Sequence, residues 1–335
     1  MAYEHTGLWA DVGALPATLG RTLDAAEGIA EAGALLRDGG VERIVATGNG
    51  AAYYVAHALW LAALETVATG PPIVAVPSGV AVRERFRWRP GDAVLAVSSS
   101  GEFRDVVEVV RRAGGRPCVA ITAHRDSTLA AVAAVTVLQH VESQRAVTHT
   151  QALAGAYACA LALWAEVTGD VRLHAVIADV ADAAARAVAD TQSWAAATLD
   201  AVAVPSAAVA AGGGPAWAAA LELALLLKEI ARIPAEGVET REGATSAMFG
   251  LDRGHLMVSL DADGDPLGDE AVRLCAAAGA TTIRLPAIGA DPLLAPITAI
   301  PASAALAAEL ALAAGHDVDH PAWTGAYYET ARSAT

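Results

Sequence analysis

Basic residues are scarce. Lys and Arg number 22 against 37 Asp and Glu, a formal net charge of −15 with a pI near 4.9. A nucleic-acid surface needs concentrated positive charge, and so does an anionic membrane surface. No Lys/Arg run supplies it, so no nucleic-acid or membrane partner is expected. Any anionic ligand must then be held by local dipoles rather than by the overall field. Aromatic residues make up only 5%, and the apolar mass of Ala, Val and Leu suits tightly packed helices and short buried strands. The three cysteines, Cys118, Cys159 and Cys275, form no CxxC, no ligand-spaced set and no disulfide framework, and read as small buried hydrophobes. The longest strongly apolar stretch, read as Ala152–Ala165, is too short to span a bilayer and predicts a core helix. The opening MAYEHTGLWADVGALP has no basic segment followed by an apolar one, so a cytoplasmic location is expected.

What is present is ample apolar chain. The 335 residues are 55% hydrophobic and 18% charged, which excludes disorder and fits two globular domains. The chain also repeats itself. VERIVATGNGAAYYVAHALWLAALE and PSAAVAAGGGPAWAAALELALLLKE share a β-branched or small apolar run, a glycine-rich turn and an Ala/Leu helix. Gly48 to Gly212 and Glu65 to Glu229 are both offsets of 164, and Gly114 to Gly279 is 165. Two copies of one α/β unit are implied.

Within the first copy, IVAT, PIVAV, AVLAVS, CVAIT and VTVLQ alternate with helical stretches. Continuous apolar strands of this kind predict parallel sheets covered by helices on both faces. The expected domains are 1–172, with an N-terminal helix, and 173–335, opening with a helical connector over roughly Asp170 to Ala203.

AVLAVSSSGEFRDVVEVVRRAG predicts a buried strand, a small-residue turn and a helix. Ser98, Ser99, Ser100 and Gly101 occupy the turn, where hydroxyls and free helix-start amides can hold an anion, at the carboxyl end of a parallel sheet where ligands bind. A plain N-cap would need only one Ser or Asp. The Gly48–Asn49–Gly50 turn lacks the length and lysine of a P-loop and is not GxGxxG, so no dinucleotide site is expected.

Several stretches together resemble the double-SIS (sugar isomerase domain) family, which includes the isomerase half of glucosamine-6-phosphate synthase and the fructosamine-phosphate deglycases. SSSGEFRDVV is similar to its sugar-phosphate loop, and ESQRAVTHTQAL to the stretch after the first domain's last strand. GGGPAWAAALELALLLKEIARIPAE resembles the second domain's glycine turn, helix and KE motif, and GHDVDHP its GxDxDxP segment. The resemblance spans roughly residues 10 to 330. It implies two tandem three-layer α/β/α units with parallel sheets, and a phosphorylated aminosugar or ketosugar derivative as ligand. One sugar site per chain is implied between the domains, completed by a second subunit in a homodimer. DADGDP stands in the second copy where SSSGEF stands in the first, and its carboxylates would repel a phosphate.

Glu229 matches the family's catalytic glutamate. Moving a proton between C1 and C2 of an open-chain sugar needs one carboxylate in a partly desolvated setting, and Glu229 closes the apolar run LALLLK. Resemblance also marks Ser98, Ser99, Ser100, Thr148 and His149 as substrate-binding; the turn Gly48, Asn49 and Gly50 joins them from its place at a strand end, and Arg104, just after the serine loop, is expected to compensate for lost hydroxyls as a phosphate partner. The departures are as informative. The family's ring-opening histidine falls, 16 residues past the glutamate, on Thr245, or on Glu242 if three residues are missing. The Schiff-base lysine aligns with Ala326, Phe103 replaces a phosphate-binding threonine, and Ala51 or Ala52 a serine. With no N-terminal cysteine and no glutaminase domain, glucosamine-6-phosphate synthesis from glutamine is not expected.

His255, His316 and His320 read as structural or solvent-facing, and Trp194, Trp217 and Trp323 as packing residues. No metal and no cofactor are expected. The sequence thus predicts an isomerase or deglycase using Glu229 as base, with a non-catalytic sugar-phosphate regulator, or an enzyme of an unphosphorylated sugar derivative, as alternatives.

Overall fold

The computed structural model describes residues 1–66, 69–262, 264–286 and 290–322. In chain order, helices α1 (Gly7–Gly13), α2 (Leu15–Ala25) and α3 (Ile29–Asp38) precede β1 (Arg43–Gly48), α4 (Ala51–Glu65), β2 (Ile73–Pro77) and α5 (Ser78–Ala81). Then come β3 (Asp92–Val97), α6 (Arg104–Arg112), β4 (Cys118–Thr122), α7 (Thr128–Val132), β5 (Val135–Leu138) and α8 (Thr150–Thr168). Two further helices, α9 (Val171–Ala178) and α10 (Val180–Thr198), lead to β6 (Ala207–Gly212), α11 (Pro215–Glu229), β7 (Ala235–Glu239) and α12 (Thr240–Ala244). The chain continues through β8 (His255–Ser259), α13 (Pro266–Ala277), β9 (Thr281–Arg284), α14 (Ala295–Thr298) and α15 (Ile300–Ala313).

Two compact units emerge, each discontinuous in sequence. One holds Ala17–Glu142 and Gln151–Ala181; the other holds Met1–Pro16, Ser143–Thr150 and Asp182–Ala322. The first carries an all-parallel sheet in the order β2-β1-β3-β4-β5. The second carries β7-β6-β8-β9, also all parallel. The second order repeats the first with, among the described residues, one strand fewer.

Each core follows from the composition. In the first unit Val94, Ala96 and Ala120 of the sheet pack with Val106, Val107 and Val110 of α6, and Phe103 and Trp88 close the edge. Phe103, found where the family's loop has a threonine, is therefore a packing residue. In the second unit Val209, Ala211 and Met257 meet Val238, Ala271 and Cys275. Cys118, Cys159 and Cys275 are free and buried, as expected.

The apolar stretch at Ala152 lies inside buried α8. Among the described residues, however, the helical run long and apolar enough to span a bilayer is Pro292–Ala313, not Ala152–Ala165. By length and composition it could cross a membrane, but 83% of its most apolar window is buried within the chain. Pro296 and Pro301 sit in the opening turns of α14 and α15, where proline's missing N–H costs nothing.

Candidate functional site

Two turns at the carboxyl ends of β1 and β3 form the first unit's candidate site. In the β1–α4 turn, Gly50 takes φ +53°, and a Cβ on Gly48 would lie 2.5 Å from the backbone of Ala52, so the helix starts hard against the strand. Asn49 is fixed by the Ser78 hydroxyl, which donates to its Oδ1 at 2.5 Å.

In the β3–α6 turn, the Ser98 Oγ accepts the Gly101 N–H at 3.1 Å, and the Ser100 Oγ accepts that of Glu102 at 3.3 Å. A hydroxyl that accepts still has its own proton to donate, so both serines keep a donor while holding the turn's shape; Ser98 is buried and Ser100 half-buried. The Ser99 carbonyl receives the Ala123 N–H and the Thr122 hydroxyl, both at 3.0 Å, tying the turn to the end of β4. Gly101 lies at φ +66°, where a Cβ would be 2.2 Å from Ser127 Oγ. Phe103 is the N-cap of α6 and offers no side-chain acceptor to the helix-start amides.

A cleft of about 470 Å³ opens beside this turn, lined by Ser100, Glu102, His124, Arg125, Asp126 and Ser127. The Glu102 carboxylate is held by the Thr128 N–H at 2.8 Å and hydroxyl at 2.7 Å. Arg104 is exposed, its Nε 3.5 Å from Asp105, and it does not line the cleft.

The second unit positions Glu229. It is the last residue of α11, partly buried, and the Thr148 hydroxyl donates to its Oε2 at 3.5 Å. Burial pushes its carboxyl above the usual glutamate range, partly offset by Thr148 and by the Lys228 charge. The segment leading to Thr148 is tied down by Asp11 through its carboxylate and by Asp319 through its backbone carbonyl, neither of them a residue that the motifs single out. Asp11 accepts the N–H groups of Arg145 and Ala146 at 2.8–3.0 Å. Asp319, in the GHDVDHP segment, accepts those of Gly7 and Leu8 at 2.7 and 2.8 Å, while its carbonyl takes the Val147 N–H at 2.9 Å. Thr148 is buried and His149 exposed.

Glu242 and Thr245 fall on and just past α12 and are both exposed. The Thr245 hydroxyl donates to the Glu242 carbonyl at 3.0 Å, a bond within its own turn. Two turns of helix before Glu229, Glu222 is buried at 5% exposure and its Oε2 has no hydrogen-bond partner. Burial first, and the Glu229 charge second, push its carboxyl up to about 8.

In the acidic turn of the second copy, Asp261 accepts the Gly213 N–H and the Thr240 hydroxyl, each at 2.7 Å. Asp265 caps α13 through Leu267 and Gly268. A carboxylate thus sits on the glycine turn of this sheet. Among the described residues, no group of three or more His, Cys, Asp or Glu is placed to hold a metal ion.

The histidine and tryptophan expectations divide. His255 opens β8 and is anchored to Asp252 at 2.8 Å, and the Trp194 indole donates to the Arg284 carbonyl at 2.8 Å. His316 and His320 lie in the loop after α15. Trp323 and Ala326 lie outside the described residues.

No protein-family model and no curated protein sequence matches the chain. Solved structures do. A Silicibacter pomeroyi protein assigned as a phosphosugar isomerase is 25% identical with a TM-score of 0.78, over 94% of this chain and 100% of that one. Tagatose-6-phosphate ketose/aldose isomerase from Escherichia coli is 19% identical with a TM-score of 0.76, over 95% and 96%. The C-terminal domain of glucosamine-fructose-6-phosphate aminotransferase from Francisella tularensis is 18% identical with a TM-score of 0.76, over 94% and 98%. The chain has the double-SIS fold: two sheet-and-helix units along one chain, as the sequence resemblance implied.

Proposed function

We propose that the chain is a sugar-phosphate enzyme of the aldose–ketose isomerase or deglycase type, with Glu229 as the proton-transfer base. The observation that carries this is the setting of Glu229: a carboxylate at the end of an apolar helix, oriented by a buried hydroxyl and desolvated enough to gain proton affinity. In the reaction, the Glu229 carboxylate takes the proton from the carbon beside the substrate carbonyl. The proton of the adjacent hydroxyl passes to the old carbonyl oxygen through an enediol, the adjacent oxygen becomes the new carbonyl, and Glu229 returns its proton to the old carbonyl carbon. The donors of Ser98 and Ser100 and the uncapped amides of α6 suit the phosphate. The phosphosugar isomerases of like fold support the substrate class.

Glu229→Gln keeps the shape and removes the base. Turnover of fructose 6-phosphate or a fructosamine phosphate should fall about 10²- to 10⁴-fold, with affinity little changed. Undiminished turnover in that variant rules out the assignment.

A second reading, a non-catalytic sugar-phosphate regulator, is favoured by one observation. Neither Glu242 nor Thr245 is set in a buried position suited to handling the ring-oxygen proton. Ligand-dependent thermal stabilisation without turnover by the wild type would select it. Equal affinity for the unphosphorylated sugar would select instead an enzyme of an unphosphorylated derivative.

A further inference from the structure

We propose that Arg125 is the cation that grips the anionic end of the ligand, and that Glu27 holds its place when the ligand is away. The proposal rests on the sugar-phosphate reading above and deepens it.

Arg125 follows β4 and lines the cleft together with Ser100, whereas Arg104 does not. Its guanidinium donates through Nη2 to the Glu27 carboxylate. The two side chains are 68% and 35% exposed, so solvent and salt screen the pair and it is readily exchanged. The other Glu27 oxygen lies 3.1 Å from His140 Nε2.

Glu27 is not there by drift, because its turn is fixed and strained. Its carbonyl accepts the Leu138 N–H at 3.2 Å, at the end of β5. Ala26 lies at φ +46°, in the left-handed region that alanine avoids, and Gly28 at φ +79°, where a Cβ would be 2.1 Å from the Thr136 carbonyl oxygen. Strain of this kind persists only where surrounding structure imposes it, and it gathers at functional segments.

A phosphate is the stronger partner for the same guanidinium. It offers two oxygens to the planar fork, and a third to the Ser100 hydroxyl in the same cleft wall, which the Glu27 carboxylate does not engage. The Glu102 carboxylate is already taken up by Thr128, while Asp126 remains in the wall as a like charge. Arg125 is thus the group whose loss the cleft is least able to offset.

Calorimetric titration of the full chain with inorganic phosphate and with glucosamine 6-phosphate tests this. Arg125→Ala should weaken both probes about tenfold, at least five times more than Arg104→Ala, with Arg125→Lys between. Glu27→Gln should tighten both several-fold, and lose that gain when combined with Arg125→Ala. Melting curves of each variant verify folding. If Arg125→Ala binds both probes like wild type while Ser100→Ala weakens them, the proposal falls and the sugar-phosphate reading stands. If Glu27→Gln weakens binding, the place-holder role falls. Wild type that binds neither probe, or binds glucosamine as well as its phosphate, overturns both.

Discussion

Glu222 is a buried carboxyl in the second unit with one oxygen unpaired. Buried polar atoms are nearly always paired, yet its Oε2 is not. Of the elements packed against α11, β6 carries no titratable side chain, β7 carries Glu236 and Glu239, α14 carries none and α15 carries Glu309; the charge that acts on Glu222 is that of Glu229. With its carboxyl pushed up to about 8, the folded chain keeps a proton that the unfolded chain releases near 4.5. The unfolded state then binds fewer protons between those values, so stability falls as pH rises through that window and levels off above it. Glu222→Gln removes the slope. Urea unfolding should show the variant near wild type at pH 4.5 and about 2–4 kcal/mol more stable at pH 8.5; parallel pH curves would refute it. Residues of this sort were the least legible ones. Glu229 could be picked out because a motif surrounds it. Asp11 and Asp319 could not, because their bonds reach backbone amides 134 and 312 positions away, and no periodicity encodes such a pairing. Arg125 likewise sits in a turn whose partner, Glu27, is 98 positions back.

At the scale of elements the sequence spoke more clearly. A strand buried on both faces is apolar wherever a polar side chain lacks a partner: β3 and β4 are buried at every position, and β3 opens on Asp92 only because Arg43 donates to both its oxygens, so their apolar runs stood out. The repeat is equally concrete: α4 and α11 each span 15 residues after glycine N-caps at φ +53°, ψ −131° and φ +54°, ψ −139°. Offsets counted along the sequence are reproduced in dihedral angles. A Cβ on Gly50 meets nothing within 4 Å, so Gly50→Ala should cost only backbone strain, about 1–2 kcal/mol by chemical denaturation. A loss below a few tenths would mean the turn relaxes freely. Short helices such as α5 and α12 went unread, since four or five residues hold too little periodicity to register. The departures at Glu242 and Thr245 were also placed from a motif alone, and alignment says nothing of exposure.

Across the whole molecule, a chain with a charge of −15 has no overall field to draw in an anion, and the proposed reading leaves that task to local donors in the first copy alone. Where the first copy closes its β3–α6 turn with serines, the second closes the matching turn with Asp261, whose carboxylate already satisfies the Gly213 amide and the Thr240 hydroxyl. Calorimetry with glucosamine 6-phosphate should accordingly saturate at one equivalent per chain, and two equivalents would contradict the division. On the proposed reading the second copy adds architecture and no second receptacle. Its glycine turn already holds an acid that belongs to the chain and cannot diffuse away, so the turn works as a strut.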